Sequence, residues 1–214
     1  MDLHLLCTYN GVTEDTLSQL AHEDWVGIDY GTVVLLRHGI TPIAAFGDFD
    51  STTPAERDLI NDHIEVEVLP SEKNETDLEV GIHYALTLDY DRVFIHGATG
   101  GRMDHFLGNL QTLAHPDVIL SGSEFYIVDE QNIIQVLAAG THIITHAQDM
   151  QYVSFIPLGE QVLLTIEGLK YELLRTPLEL GRTRTVSNEF IADRAQVTVE
   201  NGMVYMVQSR DKSA

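Results

Sequence analysis

The chain has 214 residues, 44% of them hydrophobic and 21% charged, enough to bury a sizeable core as one large domain or two modest ones. Lys and Arg number 12 against 33 Asp and Glu, a formal charge of −21, which argues against wrapping nucleic acid or docking on an anionic membrane. The single cysteine, Cys7, excludes an intrachain disulfide, no apolar run is long enough to span a bilayer, and Met1-Asp2-Leu3-His4 lacks the basic start of a secretion signal, so a cytoplasmic protein is expected.

Up to about residue 120, short apolar runs alternate with stretches of helical period. Strands are predicted at Leu3 to Thr8, Trp25 to Ile28, Ile43 to Phe46, Ile64 to Val68 and Arg92 to His96. Between them lie predicted helices from Thr13 to His22, Gly31 to His38, Pro54 to His63 and Thr76 to Leu88, with a turn at Asn10-Gly11. Ser51-Thr52-Thr53-Pro54 carries both helix-start signals, a capping hydroxyl and a proline in the first turn. This alternation predicts an α/β N-terminal domain, residues 1–121, with a parallel, Rossmann-like sheet whose ligands sit at the C-terminal strand ends.

Beyond Ser121-Gly122 the pattern changes to short β-rich runs: Phe125 to Val128, Ile133 to Leu137, His142 to Thr145, Tyr152 to Pro157, Val162 to Glu167, Val197 to Val199 and Val204 to Gln208. Residues 122–214 are therefore expected to form an all-β C-terminal sandwich or small barrel.

An acidic protein that handles phosphate has to build its positive field locally. Gly97-Ala98-Thr99-Gly100-Gly101-Arg102 follows a predicted strand and precedes a helix-like Phe106-Leu107-Gly108-Asn109-Leu110. Such a turn aims several backbone N–H groups and a helix N-terminus at one point, and Arg102 adds a charged fork, which is chemistry for a phosphate. A plain tight turn capped by Asp104 is the competing reading. In Gly47-Asp48-Phe49-Asp50-Ser51, carboxylates two apart in extended chain point to the same side, so Asp48 and Asp50 can converge on a hard cation while Phe49 faces away. Asp77, at the start of the fourth helix, would complete a three-carboxylate magnesium site at the same sheet edge, with Lys73 near phosphate oxygens. Alone, Asp77 reads as a first-turn acid compensating the helix dipole. The 10 histidines show no zinc spacing, and Cys7 reads as a buried thiol.

GDFDS at 47–51, KNETD at 73–77, GATGGRMDH at 97–105 with Asn109 following, and SNEF at 187–190 together resemble the thiamine pyrophosphokinase family in order and spacing. Asp29 and Gly31 match that family's Ala-Asp-Gly-Gly stretch, while Tyr30 and Asn74 depart from its pattern. The resemblance implies transfer of the β,γ-diphosphoryl group of ATP to the hydroxyl of thiamine, giving thiamine diphosphate and AMP. It implies ATP contacts from Asp29, Gly31, Lys73, Thr76, Thr99, Gly100, Gly101 and Arg102, and a Mg2+ held by Asp48, Asp50 and Asp77 as the catalytic group. It further implies thiamine contacts from Asp104, Asn109, Ser187 and Asn188, and a homodimer with the thiamine pocket between subunits. The rivals are a pyrophosphokinase acting on a pterin alcohol, a glycosyltransferase with an Asp-x-Asp metal pair, and a nucleotide sensor without turnover.

Overall fold

The computed structural model describes residues 1–64, 67–68 and 75–212, and its contacts divide the chain into two compact units, Met1–Glu130 and Gln131–Ala214. The first unit runs β1 (Asp2–Leu6), α1 (Glu14–Gln19), β2 (Asp24–Ile28), α2 (Tyr30–Arg37), β3 (Ala44–Gly47), α3 (Pro54–His63), β4 (Glu67–Val68), α4 (Asp77–Ala85), β5 (Arg92–His96), α5 (Met103–Thr112), α6 (Pro116–Leu120) and β6 (Glu124–Val128). Its strands lie in the order β4-β3-β2-β1-β5-β6, and each neighbouring pair is parallel. From β1 to β4 the chain steps outward on one side, then returns to place β5 on the other side of β1. The crevice above β1 and β5 is therefore the topological switch point, where parallel sheets bind ligands.

Both sheet faces are covered. Ala45 packs with Val33 and Leu36 of α2, Ile60 of α3 and Phe49, while Leu6 and Trp25 cluster with Leu17 of α1 and with Val34 and Leu35 of α2. On the opposite face Phe46 meets Tyr84 of α4 at 5.1 Å between ring centres, and α4 comes so close at Gly81 that a Cβ there would lie 2.3 Å from Ile28 Cδ1. The helix starts follow the sequence signals. Thr53 and Glu56 form a reciprocal capping box behind Pro54, and Thr13 and Thr76 cap α1 and α4. The expected helix from Thr76 to Leu88 ends at Ala85, and α6 has no counterpart in the sequence reading.

Phe125 to Val128, read from sequence with the β-rich half, pairs in parallel with β5 over Arg92–His96 and so continues the first unit's sheet. In the second unit the remaining six runs merge into three long strands, β7 (Asn132–Thr145), β8 (Tyr152–Glu167) and β10 (Arg194–Ser209), joined by an edge strand, β9 (Leu173–Glu179). The order is β7-β10-β8-β9 and every pairing is antiparallel. The sequence breaks them into shorter pieces because the buried alternation changes phase midway. On β10, Ala195, Val197 and Val199 are buried before the register shift at Val199 to Met203, and Val204, Met206 and Gln208 after it. A bulge moves the inward side chains from odd to even positions without ending the strand.

Candidate active site

A cleft of about 590 Å³ opens at the switch point of the first unit. Asp29, Thr76, Asp77, Thr99, Gly100, Gly101, Arg102, Asp104 and Asn109, all singled out from sequence, line it. Cys7, Thr8, Asn10 and His105 line it as well and were not chosen from sequence. The signal for Asn10 was the turn that follows β1: its side-chain nitrogen lies 3.6 Å from where a Cβ of Gly101 would stand, so its amide faces the glycine turn.

One wall is the glycine loop. Gly97, Gly100 and Gly101 have φ of +70°, +77° and +65°, a left-handed backbone that other residues adopt only with strain. At Gly97 close approach adds a second demand, since a Cβ would stand 2.2 Å from the Thr8 carbonyl oxygen. The loop runs straight into α5, whose N-cap residue, Arg102, makes no side-chain capping bond. Asp104, the cap in the competing reading, instead takes a two-pronged ion pair from Arg102, with Nε to Oδ1 at 3.1 Å and Nη2 to Oδ2 at 2.6 Å, and accepts the His105 N–H at 3.0 Å. Arg102 holds the Asp104 carboxyl down to about 2. Both side chains are largely exposed, so the guanidinium can exchange this carboxylate for a phosphate oxygen at small cost. Asn109, nearly two turns into the helix, donates its amide to the Ala98 carbonyl at 2.9 Å and ties helix to loop.

The opposite wall is acidic. Asp29 follows β2 with φ 47° and ψ −123°, a strained conformation for a residue with a side chain. Its backbone is fixed on both sides: the N–H donates to the Phe46 carbonyl at 2.7 Å, and the carbonyl accepts from Thr32 N at 3.0 Å. One carboxylate oxygen accepts from Ser51 Oγ at 3.4 Å, while the other, Oδ1, is buried without a hydrogen-bond partner. Burial first, then the charge of Asp77, then those of Asp48 and Asp50, push the Asp29 pKa up, against the Tyr30 N–H that lowers it. These four carboxylates thus share one electrostatic neighbourhood, although Asp48 and Asp50 do not themselves line the cleft.

Asp48 and Asp50 are brought there by a turn, not by the extended chain the spacing suggested. Phe49 takes φ +53°, its side chain is buried under α2 and α3, and Asp50 N donates to Asp48 Oδ1 at 3.1 Å. Gly47 stands behind Asp29, where a Cβ would come within 2.9 Å of Asp29 Cα. Gly31 likewise does not line the cleft; it lets α2 start against β1, where a Cβ would meet the Leu6 carbonyl oxygen at 1.8 Å. Tyr30 turns away toward Glu56, donating to Oε1 at 3.2 Å and accepting from Arg37 at 3.1 Å. Cys7 is no nucleophile: desolvation, with the charges of Asp29 and Asp77, pushes its thiol up to about 12. Lys73 and Asn74 lie outside the described residues.

The orphaned Asp29 oxygen is costly without a positive partner, and oxygen-only donors such as Asp29 and Asp77 at the cleft are the kind a hard divalent cation such as magnesium takes, although among the described residues the four carboxylates are not drawn within 4.8 Å of one another.

Ser187 and Asn188 belong to the second unit. Ser187 has φ +60° and donates its N–H to Ser154 Oγ at 3.0 Å. Asn188 is buried; its amide oxygen accepts from Tyr171 N and Glu189 N, and its amide nitrogen donates to the Tyr171 carbonyl. That side chain is committed to shaping the loop. A hollow of about 360 Å³ beside it is lined by Tyr171, Leu173, Arg184 and Thr185 among others.

Residues 18–121 match the family model described as thiamin pyrophosphokinase, catalytic domain, and residues 141–204 the one described as thiamin pyrophosphokinase, vitamin B1 binding domain. The chain is 40% identical over 192 residues to a thiamine pyrophosphokinase of Bacillus subtilis (strain 168), covering 89% of each chain. Among solved structures it is similar to the Bacillus subtilis thiamine pyrophosphokinase, with TM-score 0.89 and 36% identity over 99% of this chain and 100% of that one. The Geobacillus thermodenitrificans thiamin pyrophosphokinase gives TM-score 0.83 and 33% identity over 100% and 99%. The Candida albicans enzyme shares the fold at 19% identity and TM-score 0.83, covering 98% of this chain and 89% of that one.

Proposed function

The chain belongs to the thiamin pyrophosphokinase family, and we propose that it transfers the β,γ-diphosphoryl group of ATP to the hydroxyl of thiamine, releasing AMP. The observation that carries this reading is one cleft lined by both the glycine turn and the carboxylates of Asp29 and Asp77, with the charges of Asp48 and Asp50 reaching Asp29. The turn and the α5 N-terminus suit the phosphate chain, with Arg102 leaving Asp104 to neutralise it. Asp29, Asp48, Asp50 and Asp77 would hold magnesium, which supplies charge neutralisation on the phosphate oxygens when bound. Attack at the β-phosphorus needs the alcohol and the leaving AMP in line, a placement this reading assigns to the two walls of the cleft. Thr76 and Thr99, beside these groups, are read as further ATP contacts, and Asp104, Asn109 and Ser187 as thiamine contacts; Asn188 then acts by positioning its loop.

The first unit is read as a Rossmann-like nucleotide domain. The second is read as a sandwich, because both halves of β8 and β10 send their buried residues into one cluster containing Val153, Phe155, Val162, Leu164, Val197 and Val204. A homodimer and a cytoplasmic setting complete the proposal. No helix among the described residues is long and apolar enough to cross a membrane.

Incubation with ATP, magnesium and thiamine followed by nucleotide analysis tests the reaction. AMP forming one-for-one with thiamine diphosphate is expected. ADP as the product, or no thiamine-dependent loss of ATP, would overturn it.

A further inference from the structure

Glu79 and His83 stand one turn apart on the same face of α4, and His115 sits at the head of α6. One ligand atom from each lies within 4.8 Å of the other two, and all three side chains are partly buried. The His83 and His115 rings meet edge-on at 5.5 Å. Sequence spacing hides this set, because its third member arrives from a different helix.

We propose that Glu79, His83 and His115 form a binding site for a zinc-like divalent ion, separate from the carboxylates of the cleft and with solvent in the open coordination position. Two imidazoles and one carboxylate are a zinc donor set, and two ligands four apart on a helix share a face. Bonds of about 2.0–2.1 Å in a tetrahedral site put neighbouring ligand atoms about 3.4 Å apart, so rotamer adjustments on the order of 1 Å close the site. Imidazole nitrogen separates this site chemically from the all-oxygen cleft, which favours magnesium.

The surroundings supply the next shell. His115 Nδ1 accepts the Asp117 N–H at 3.3 Å, and the Asp117 carboxylate lies 3.8 Å from the same nitrogen. With Nε2 on the metal, Nδ1 carries the proton, so it gives up the Asp117 N–H it accepts in the metal-free chain and donates instead to the Asp117 carboxylate, the arrangement that orients a ligating histidine. A hollow of about 550 Å³, lined by His83, Asp89, Asp117 and Leu120 among others, gives the ion and its water a way in. Because α4 begins at Asp77 beside the cleft and His115 heads α6, a bound ion would tie α4 to the start of α6, three residues beyond the end of α5 at Thr112.

Calorimetric titration of zinc chloride into the full chain, with magnesium in excess to occupy the carboxylate cleft, tests the proposal. One zinc per chain is expected, together with a zinc-dependent rise in melting temperature. The His83→Gln/His115→Asn double variant should lose affinity by about 100-fold or more, and Asp50→Asn should bind as the parent does. His115→Asn keeps a capping acceptor for α6, and the metal-free melting temperature verifies the fold. If the double variant fails to fold, Glu79→Gln serves instead, with an affinity loss of about tenfold or more. Absence of zinc binding by the parent, equal affinity in the ligand variants, or binding abolished by Asp50→Asn would each overturn it.

Discussion

Acidification should destabilise this protein through two buried histidines. His4 on β1 and His96 on β5 form a hydrogen bond, Nδ1 to Nε2, at 3.0 Å, inside a cross-strand aromatic ladder. His4 lies 4.9 Å from the Trp25 ring and 5.3 Å from Phe94, and Phe94 lies 5.2 Å from Tyr126. One ring donates and the other accepts, and burial favours the neutral form of both. Desolvation lowers His4 from 6.5 to about 4 and, with His4 beside it, lowers His96 to about 3. Folded values below the unfolded ones mean that the unfolded chain binds more protons, so stability is fully present above pH 6.5 and falls as pH drops toward 4 and 3. Between pH 7.5 and 5.5 each histidine contributes a loss of about 1.4 kcal/mol, or about 2–3 kcal/mol for the pair. Urea unfolding at both pH values, for the parent and a His4→Phe/His96→Leu variant, measures this: carboxylate titration is common to both, so the histidine contribution is the difference in their pH slopes. Equal losses in the two proteins would refute the reasoning.

Asp29→Asn should cut turnover by about 100-fold or more while raising the melting temperature, because it removes a charge that burial and Asp77 oppose and Asn tolerates positive φ; a lowered melting temperature would contradict this. Gly97→Ala should cost at least about 2 kcal/mol in chemical denaturation, since a Cβ meets the Thr8 carbonyl and φ is +70°. Thr53→Ala should cost about 1 kcal/mol through loss of the α3 capping box and leave the magnesium dependence of turnover unchanged. Phe155→Ala should cost about 3–5 kcal/mol in denaturant unfolding, because that ring is fully buried in the second unit.

Much of the first unit was legible because its signals are local. Thr53-Pro54, Thr13 and Thr76 announced helix starts, and Arg92 to His96 announced the strand beneath the glycine loop. For Asp48 and Asp50 the spacing argument assumed extended chain, whereas Phe49 at φ +53° builds a turn whose apolar residue is pulled into the core. Asn188 shows the reverse case, a polar residue chosen for a ligand whose amide is spent on Tyr171 and Glu189.

What the sequence determined by itself was the acidic balance, the alternation of strands and helices in the first half, and a glycine turn between a strand and a helix, since each rests on the chemistry of neighbouring residues. Tertiary structure alone decided that β6 continues the parallel sheet, that six short runs merge into three long strands, and that Glu79, His83 and His115 meet. Those outcomes depend on pairings between residues far apart in the chain, which no local pattern encodes.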